Sequence, residues 1–332
     1  MTDSLKAQPQ YGQRVTRIDW NNHMDTSVYT NGSLTPTTYA AVFNSTTMGC
    51  LRMMDTLNAG FSYEVKEAMR ALSYGPSAKV GVIFSEPWWM SKILANPILS
   101  GGQAHSDLII RTCVYPSYNL DTPSGNHVLL CSYTWQQDAT RISSMMCGTN
   151  NNNLDHKTVV ANEANLKERI LRDLAHLHTT TPLAADTLYE VINGLYVDHY
   201  SHDWNNDPNT AGAFAFFGPD QFSKLWPKII APTNDVVIIG EHASPHHAWV
   251  VGALESALVG VYQWLAQYAK SGLIVGVQDA LNLLQGTKMG NPFIGLPGYY
   301  TPNTADWHAL SAFVEKELTL LERKAAKEGK SS

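Results

Sequence analysis

The sequence predicts an α+β protein in which strands and helices alternate along 332 residues. Three observations predict this class: short apolar runs that favour β-structure, helical spacing of apolar residues between them, and a buried strand that leads into a long apolar helix. Since one domain usually takes about 100–200 residues, the length favours two domains. Apolar residues make up 44% of the chain and charged residues 16%, which excludes a disordered protein.

The first half of the chain contains the clearest strand signals. A helix is predicted over residues 62–72, because Val65, Met69 and Leu72 recur at i, i+4 and i+7 and so share one face. An asparagine-rich loop at 148–155 precedes a second amphipathic helix that carries apolar residues from 166 to 177. The runs that predict strands are residues 39–43, 78–84 and 128–135.

The second half begins with a stretch rich in proline and glycine at 203–233. Residues 235–240 then predict a fully buried strand that ends at glycine, and a long apolar helix starts near Ala248. A loop with Gly and Pro between 286 and 298 leads to a predicted amphipathic helix over about 310–321 and a solvated Lys/Glu tail.

Composition narrows the possible partners and the compartment. A net charge of -6 and a pI near 6.0 predict no nucleic acid and no anionic membrane as partners. The first residues lack a secretory signal, and the long apolar stretch carries Glu255 and Gln263, so no membrane span is expected and the default expectation is a cytoplasmic protein. Reduced core thiols, rather than disulfides or a zinc knuckle, are expected for Cys50, Cys113, Cys131 and Cys147.

The strongest local signal is the strand–loop–helix segment around Glu241. This arrangement places Glu241 and a helix N-terminus at the carboxyl edge of a sheet, where α/β proteins bind ligands. The helix terminus suits an anionic or electron-rich ligand atom, and Glu241 could accept hydrogen bonds from ligand hydroxyls. A metal site is the competing interpretation, but only His242 and His246 have the required spacing, and Pro245 between them would break a helix. We therefore expect loop histidines that shape a pocket and no metal.

Lys79 is alone among the apolar residues of the strand at 78–84. Such a lysine is most often an outward-facing edge residue, in which case Ala78 and Val80 point into the core. If it points inward, it needs a polar partner or a functional role, because an unpaired buried ammonium is unfavourable. Aromatic residues also cluster around turns, which favours either core packing or the walls of a pocket for a flat ligand. These include Trp88, Trp89, Tyr115, Tyr118, Tyr133, Trp135, Trp204, Phe214, Phe216, Phe217 and Trp249.

Several common motifs are missing from the sequence. It contains no GxGxxG, no GxxxxGK[ST], no GxSxG and no HExxH. If the chain binds a nucleotide, the usual glycine-rich phosphate loop is therefore not part of it.

At GEHASPHHAWVVGALESA the sequence resembles the flavin amine oxidase superfamily, whose C-terminal FAD-binding element has GE, a short loop and a Trp-bearing turn into a helix. Further blocks resemble its L-amino acid oxidase branch, especially the fungal members. From about residue 12 to 265 these blocks follow the family order: VFNSTTMGCLRMMD, YGPSAKVGVIFSEPWW, RTCVYPSYNL, LLCSYTWQQDA and DWNNDPNTAGAFAFFGPDQF.

The resemblance implies a two-domain flavoenzyme with FAD as cofactor and an L-amino acid and O₂ as substrates. Such enzymes oxidise the Cα–N bond by hydride transfer to FAD N5, and the products are a 2-oxo acid, ammonia and hydrogen peroxide. In the resemblance, Lys79 matches the catalytic lysine that holds a water near N5. Tyr115 matches the tyrosine that binds the substrate carboxylate, and Ala248 with Trp249 the pair that bounds the substrate amine and the flavin.

The resemblance also implies the cofactor-binding residues. Glu241, after Gly240, matches the acid that contacts FAD hydroxyl groups, and Trp204 matches a tryptophan packed near the isoalloxazine. Val15 matches the valine at the adenine end. The helix start beneath the flavin corresponds to Ala248, Trp249, Val250 and Ala253.

The family's GxGxxG segment, its ribose acid and its carboxylate-gripping arginine do not precede GQRVTRI here. We therefore expect an incomplete Rossmann-like FAD domain around a mixed-sheet substrate domain, from a truncated gene model, a split gene or a processed subunit. The expected assembly is a homodimer or a complex with an N-terminal FAD-binding chain, and activity of this chain alone is not expected. The alternatives are a non-catalytic partner of a full-length homologue and, third, a metal-dependent hydrolase. The expected boundaries are 1–45 (partial FAD-binding domain), 46–230 (substrate-binding domain), 231–270 (C-terminal FAD-binding element) and 271–332 (C-terminal extension).

Overall fold

The structure, a computed structural model, describes residues 7–118, 120, 125–146, 156–232, 234–269 and 274–286. It confirms the α+β class. The strands are β1 (Val15–Asn22), β2 (Asp25–Thr30), β3 (Thr37–Tyr39), β4 (Val42–Asn44), β5 (Ser73–Gly75), β6 (Ser77–Phe84), β7 (Gln103–His105), β8 (Thr112–Val114), β9 (His127–Trp135), β10 (Tyr196–Asp203), β11 (Phe214–Phe216) and β12 (Val236–Ile238). The helices are α1 (Met48–Arg52), α2 (Tyr63–Ala71), α3 (Gln136–Ser143), α4 (His156–Leu177), α5 (Pro182–Leu195), α6 (Gln221–Ile230), α7 (Val250–Tyr268) and α8 (Val277–Gly286).

Most of the elements predicted from the sequence are present. The strands predicted at 78–84 and 128–135 are β6 and β9, and the buried strand predicted at 235–240 is β12. The helix predicted at 62–72 is α2, which begins after Ser62 because the Ser62 side chain accepts a hydrogen bond from the Val65 amide. The helices predicted before residue 177 and after Ala248 are α4 and α7.

Other predicted elements differ from the structure. The single strand predicted at 39–43 is wrong: β3 pairs with β2, and β4 starts three residues after β3 ends and pairs with β12. The Pro/Gly-rich stretch at 203–233 contains β11 and the helix α6. Cys147, the loop at 148–155 and the predicted elements beyond residue 286 lie outside the described residues.

The chain folds into two compact units. Unit 1 comprises the described residues of Met1–Ser73 and Phe214–Ser332, and unit 2 is Tyr74–Ala213. The first boundary falls later than the predicted residue 45, and the second falls earlier than the predicted residue 230. The assignment of a flavin-binding or substrate-binding role to each part stays a prediction.

Unit 1 contains an antiparallel sheet, β1-β2-β3, and a parallel pair, β4 and β12. The residues of β12 are buried, with Val237 only 1% exposed. α7 approaches this strand closely at Gly260, because a Cβ added there would lie 2.5 Å from Cγ2 of Ile239 and 3.3 Å from Cγ1 of Val237. The approach of α7 to β12 therefore depends on the absence of a side chain at Gly260.

A buried carboxylate organises unit 1 just before β12. Asp235 is fully buried, and its two oxygens accept hydrogen bonds from neighbouring donors on β1, the β1–β2 turn and α7. Because each oxygen has two donors, the buried charge is satisfied by hydrogen bonds. The donors are Trp20 Nε1 (3.2 Å), the Met24 amide (2.9 Å), Trp264 Nε1 (2.8 Å) and the Tyr268 hydroxyl.

Unit 2 is built on a five-stranded sheet in the order β10-β6-β9-β8-β7, and each neighbouring pair is antiparallel. Alternate residues of β6 point into the core, since Ala78 and Val80 are both 0% exposed. Apolar residues of α3, α4 and α5 belong to the same core. Its α4 members are Leu166, Ile170, Leu171, Leu174 and Ala175.

The cysteines that the structure describes are reduced and buried, as expected. They are Cys50, Cys113 and Cys131. Burial raises the pKa of the Cys113 thiol to about 12, so this thiol stays protonated at neutral pH. Among the described residues, no helix has both the length and the apolar character needed to span a bilayer.

Candidate functional site

Gly240 makes the turn that follows β12. Its φ of +121° lies in the region that favours glycine, and a Cβ there would lie 2.8 Å from Cε1 of His242. This turn places Glu241 directly beyond the buried strand. The predicted position of Glu241, at the carboxyl end of a strand in a parallel pair, is therefore confirmed.

Glu241 fixes the loop that leads into α7. Oε1 accepts a hydrogen bond from the Ala215 amide at 2.9 Å, and Oε2 accepts one from the Ala248 amide at 3.0 Å. Ala248 has a φ of +65°, which is unusual for a residue other than glycine. Glu241 thus stabilises a strained entry into the helix, and each of its oxygens can still accept a hydrogen bond from a ligand.

The N-terminus of α7 is exposed and apolar. Trp249, the N-cap residue, is 67% exposed, Val250 is 76% exposed, and no side chain caps the helix. The amide of Ala253 donates to the carbonyl of Trp249, so the amides before it in the first turn have no partner within the helix. Free N–H groups and the helix dipole make this end favourable for an electron-rich ligand atom.

These residues fit the ring end of the FAD that the resemblance implies. The uncapped N–H groups suit the electron-rich edge of an isoalloxazine, and the exposed indole of Trp249 suits its flat face. Glu241 supplies acceptors for hydroxyl groups. The sequence supplies no glycine-rich loop for the phosphates. Val15, the residue expected at the adenine end, begins β1 opposite Thr30 and is half-buried.

The loop histidines of unit 1 differ in their surroundings. His242 is 1% exposed, its Nε2 has no hydrogen-bond partner, and burial lowers its pKa to about 4. Burial also lowers the pKa of His247, while Nδ1 of His246 lies 2.7 Å from Oε2 of Glu255. His242 is therefore neutral at pH 7. The part of the chain that the structure describes has no group of three or more side chains suited to a metal ion.

Lys79 lies on the interior strand β6, so the expectation of an edge residue is wrong. Its neighbours in the register are Tyr133 on β9 and His202 on β10. The Lys79 ammonium lies 4.5 Å from the centre of the Tyr133 ring and 5.1 Å from that of the Trp204 ring. Cation–π attraction therefore holds this ammonium over the face of the sheet opposite the core. We call Lys79, Tyr133 and Trp204 the lysine cage.

Hydrogen bonds to its backbone carbonyl hold Trp204 in place. Its carbonyl accepts hydrogen bonds from the Gly212 amide at 2.9 Å and the Thr210 hydroxyl at 2.7 Å. Its indole contacts the His202 ring edge-on, with ring centres 4.4 Å apart. Lys79 and Trp204, two of the predicted site residues, therefore lie together.

Tyr115 has a different neighbour. It is 5% exposed, and its hydroxyl lies 2.5 Å from Nε2 of His178, just after α4. Burial raises the pKa of Tyr115 and lowers that of His178, so both are neutral at pH 7.

The sequence alone predicts no specific role for Tyr133 or His178. Tyr133 could have been found by pairing β6 with β9 in register, whereas His178 has no local signal.

Comparison with known proteins identifies the family. The profile of the family described as flavin containing amine oxidoreductase matches residues 1–259. L-amino-acid oxidase 4 of Hebeloma cylindrosporum is 39% identical over 232 residues, which are 68% of this chain and 34% of that protein. A putative bifunctional amine oxidase of Dictyostelium discoideum is 36% identical over 219 residues, 65% of this chain and 19% of that protein.

A solved structure supports the fold. Cyclohexylamine oxidase from Brevibacterium oxydans superposes with a TM-score of 0.52 at 13% identity, over 81% of this chain and 48% of that one. The chain spans about a third of the length of the Hebeloma relative. Since the family profile covers most of the sequence, the expected family and its flavin cofactor are confirmed. The chain belongs to the flavin-containing amine oxidoreductase family.

Proposed function

We propose that this chain forms the substrate side and the flavin-ring end of an FAD-dependent L-amino acid oxidase. The reaction is oxidative deamination of an L-amino acid to a 2-oxo acid and ammonia, with O₂ reduced to hydrogen peroxide. Family membership and the 39% identical L-amino-acid oxidase support this reaction. The structural observation that carries the proposal is the lysine cage, because it holds an ammonium in place without a carboxylate partner among the described residues.

In this proposal Lys79 is the catalytic residue. FAD, when bound, supplies the acceptor for the two electrons that leave the substrate when its Cα–N bond is oxidised to C=N. The rings of Tyr133 and Trp204 restrict the ammonium and can engage at most two of its three N–H groups, so at least one can hold a water molecule at a fixed point. A fixed, charged donor of this kind can orient the water and stabilise negative charge that develops near it.

The remaining assignments follow the same proposal. Tyr115 binds the substrate carboxylate, and Ala248 with Trp249 bounds the substrate amine and the flavin ring. Gly240 and Glu241 receive the cofactor hydroxyl groups, while Val250 and Ala253 form the helix start beneath the ring. Val15 contacts the adenine end, and Trp204 lies near the isoalloxazine.

The proposed flavin site also needs a segment that this sequence does not contain. We infer that FAD needs a GxGxxG-bearing segment, because this sequence supplies no loop of that kind for the phosphates. The test is to purify the chain alone and together with the separately expressed remainder of the Hebeloma oxidase, outside the matched 232 residues. The absorbance between 350 and 500 nm then reports bound flavin, on the order of one per chain.

We expect a flavin band and hydrogen peroxide production from L-amino acids in the co-purified complex only. A complex that binds no flavin contradicts the proposal and favours a non-catalytic partner. If the complex binds flavin but produces no hydrogen peroxide from any L-amino acid, the proposed cofactor is supported and the proposed substrate class is contradicted.

A further inference from the structure

The hydrogen bonds around His178 fix where its proton lies. Its Nδ1 is 2.7 Å from the carbonyl oxygen of Leu174, which can only accept, so Nδ1 carries the hydrogen. In the neutral ring Nε2 then has only a lone pair. The hydroxyl of Tyr115, 2.5 Å away, must therefore donate its single hydrogen to Nε2.

The surroundings of this pair are apolar and neutral. The indole of Trp88, which is 2% exposed, contacts the His178 ring edge-on with centres 4.9 Å apart. From the sheet, the titratable groups near Tyr115 are the buried thiols of Cys113 and Cys131, which remain protonated.

The helix that precedes His178 also supplies no counter-charge to it. On α4, Asp173 is paired with Arg169 at 2.8 Å, and His176 is exposed. Burial is the main influence on the pKa of His178 and lowers it, and the Leu174 carbonyl acts in the opposite direction. No charged side chain in the described ranges contributes to that shift.

This geometry conflicts with simple binding of a carboxylate. If Tyr115 receives the substrate carboxylate, as in the proposed function on which this inference rests, its hydrogen must leave Nε2 for the carboxylate oxygen. A part-buried acceptor would then lose its partner, and none of the described residues around the pair supplies a counter-charge to the anion. Both problems are removed if Nε2 gains a proton, because His178 then donates to Tyr115 while Tyr115 donates to the carboxylate.

We propose that binding of a carboxylate at Tyr115 is coupled to the uptake of one proton from solvent at Nε2 of His178. The balance is one H⁺ and one carboxylate ligand taken up per site, with only the new Nε2–H bond formed and none broken. His178 is thus a positioning residue that acts through Tyr115. By linkage, the affinity for the carboxylate rises up to about tenfold per pH unit as pH falls, until free His178 is itself protonated.

The test uses the full chain in the flavin-loaded complex described above, with benzoate as an unreactive carboxylate probe. Calorimetry in two buffers of different ionisation enthalpy measures protons taken up per benzoate bound. NMR of ¹⁵N-labelled histidine rings follows the titration of His178, whose signal is assigned by its loss in His178→Gln. We expect uptake approaching one proton and a rise of at least one pH unit in the His178 midpoint on binding.

Two variants separate coupling from a structural role. In His178→Gln the amide can donate to Tyr115 without a proton, so benzoate should bind with no proton uptake and with an affinity independent of pH between about 6 and 8. His176→Gln, at an exposed position on α4, should retain the wild-type pH dependence. A His178→Gln affinity that is weaker by the same factor at every pH, with its pH slope unchanged, contradicts the coupling.

The outcomes also distinguish this inference from the proposed function. Saturable benzoate binding with no proton uptake and an unchanged His178 midpoint overturns the inference alone. Absence of benzoate binding to a flavin-loaded complex overturns both the carboxylate role of Tyr115 and the inference. The wild-type calorimetry decides the question even if His178→Gln does not fold.

Discussion

Two aromatic rings restrain Lys79, so its proposed catalytic role can be tested by substituting this residue alone. We expect Lys79→Met in the flavin-loaded complex to slow flavin reduction or reoxidation by about 10²-fold, because an uncharged side chain cannot orient the water. Stopped-flow absorbance of the flavin measures both half-reactions.

Lys167 offers a matched control for this substitution. Its ammonium lies 4.2 Å from the centre of the Tyr196 ring, so Lys167→Met removes a comparable cation–π contact elsewhere in unit 2. We expect wild-type kinetics in that variant. Unchanged kinetics in Lys79→Met, or equal slowing in both variants, would remove the catalytic role of Lys79.

Asp235 predicts a pH-dependent stability. Burial alone would raise its pKa, but the donors from Tyr268, Trp264, Met24 and Trp20 outweigh burial and hold the pKa below its usual value. A lowered folded-state pKa means that the stabilisation is present above the unfolded value of about 3.9 and is lost as pH falls through the folded value.

We therefore expect Asp235→Asn to lower the free energy of unfolding by about 2 kcal/mol at pH 7, since an amide replaces one accepting oxygen. For a unit of this size, the midpoint of thermal unfolding should fall by about 4–8 °C. Tryptophan fluorescence measures this midpoint. The difference in midpoint between Asp235→Asn and the wild type should become smaller toward pH 3. Asp186→Asn, at an exposed position in α5, is the control and should unfold like the wild type. A difference between Asp235→Asn and the wild type that stays constant with pH argues against the role of the Asp235 carboxylate.

At the scale of elements, the contact between α7 and the end of β12 predicts the effect of adding one methyl group. Gly260→Ala places a Cβ 2.5 Å from Cγ2 of Ile239, a β-branched side chain with little freedom to move. We expect a loss of about 1–2 kcal/mol, because overpacking outweighs the gain in helix propensity.

Gly194 is the control glycine, in the last turn of α5. A Cβ there meets nothing within 4 Å, so Gly194→Ala should leave the melting temperature unchanged or raise it slightly. Thermal unfolding by circular dichroism measures both variants. Equal stabilisation by the two alanines would show that α7 can shift away from Ile239 at no penalty.

The elements that the sequence predicts are those whose local pattern agrees with their final packing. β6 alternates apolar residues with a single lysine, and α4 repeats leucine and isoleucine at helical spacing. β10 was not predicted because its residues, YVDHYSHD, carry no apolar alternation, and the pairing with β6 decides its conformation. α6 was not predicted because Pro227 lies inside it.

The residues of the candidate site, too, were predicted only where a local sequence pattern reveals them. Gly240 and Glu241 were found because a strand, a turn and a helix follow one another in sequence. Lys79 was found as a polar residue in an apolar run, but its location on an interior strand depends on β10, which lies more than 100 positions later. His178 depends on contacts with the segment after β8, which no local pattern reveals.

At the scale of the whole molecule, unit 2 is expected to fold by itself. Its core consists of its own residues, and its two ends meet: the Ala213 amide donates to the Gly75 carbonyl at 3.1 Å, and a Cβ on Gly212 would lie 2.5 Å from Cβ of Tyr74. We expect the fragment 74–213 to unfold cooperatively and to show a near-ultraviolet circular dichroism signal from the buried Trp88 and Trp89.

A shorter fragment is the control for this prediction. Residues 74–177 lack α5 and β10, so one side of β6 is unpaired and part of the core is uncovered. We expect that fragment to aggregate or to lack a cooperative transition. Cooperative unfolding of 74–177, or its absence in 74–213, would contradict the assignment of unit 2 as a self-sufficient unit.

Because the two ends of unit 2 meet at residues 74–75 and 212–213, the unit can be grafted as one piece. A segment that leaves and re-enters the chain at one point can be exchanged between genes as a cassette, because a graft at that point leaves the backbone on either side continuous. In the proposed enzyme, Lys79, Tyr115 and Trp204 all belong to this cassette, whereas Glu241 and Trp249 do not. A graft at that point would therefore transfer the first three residues together and leave the other two in place.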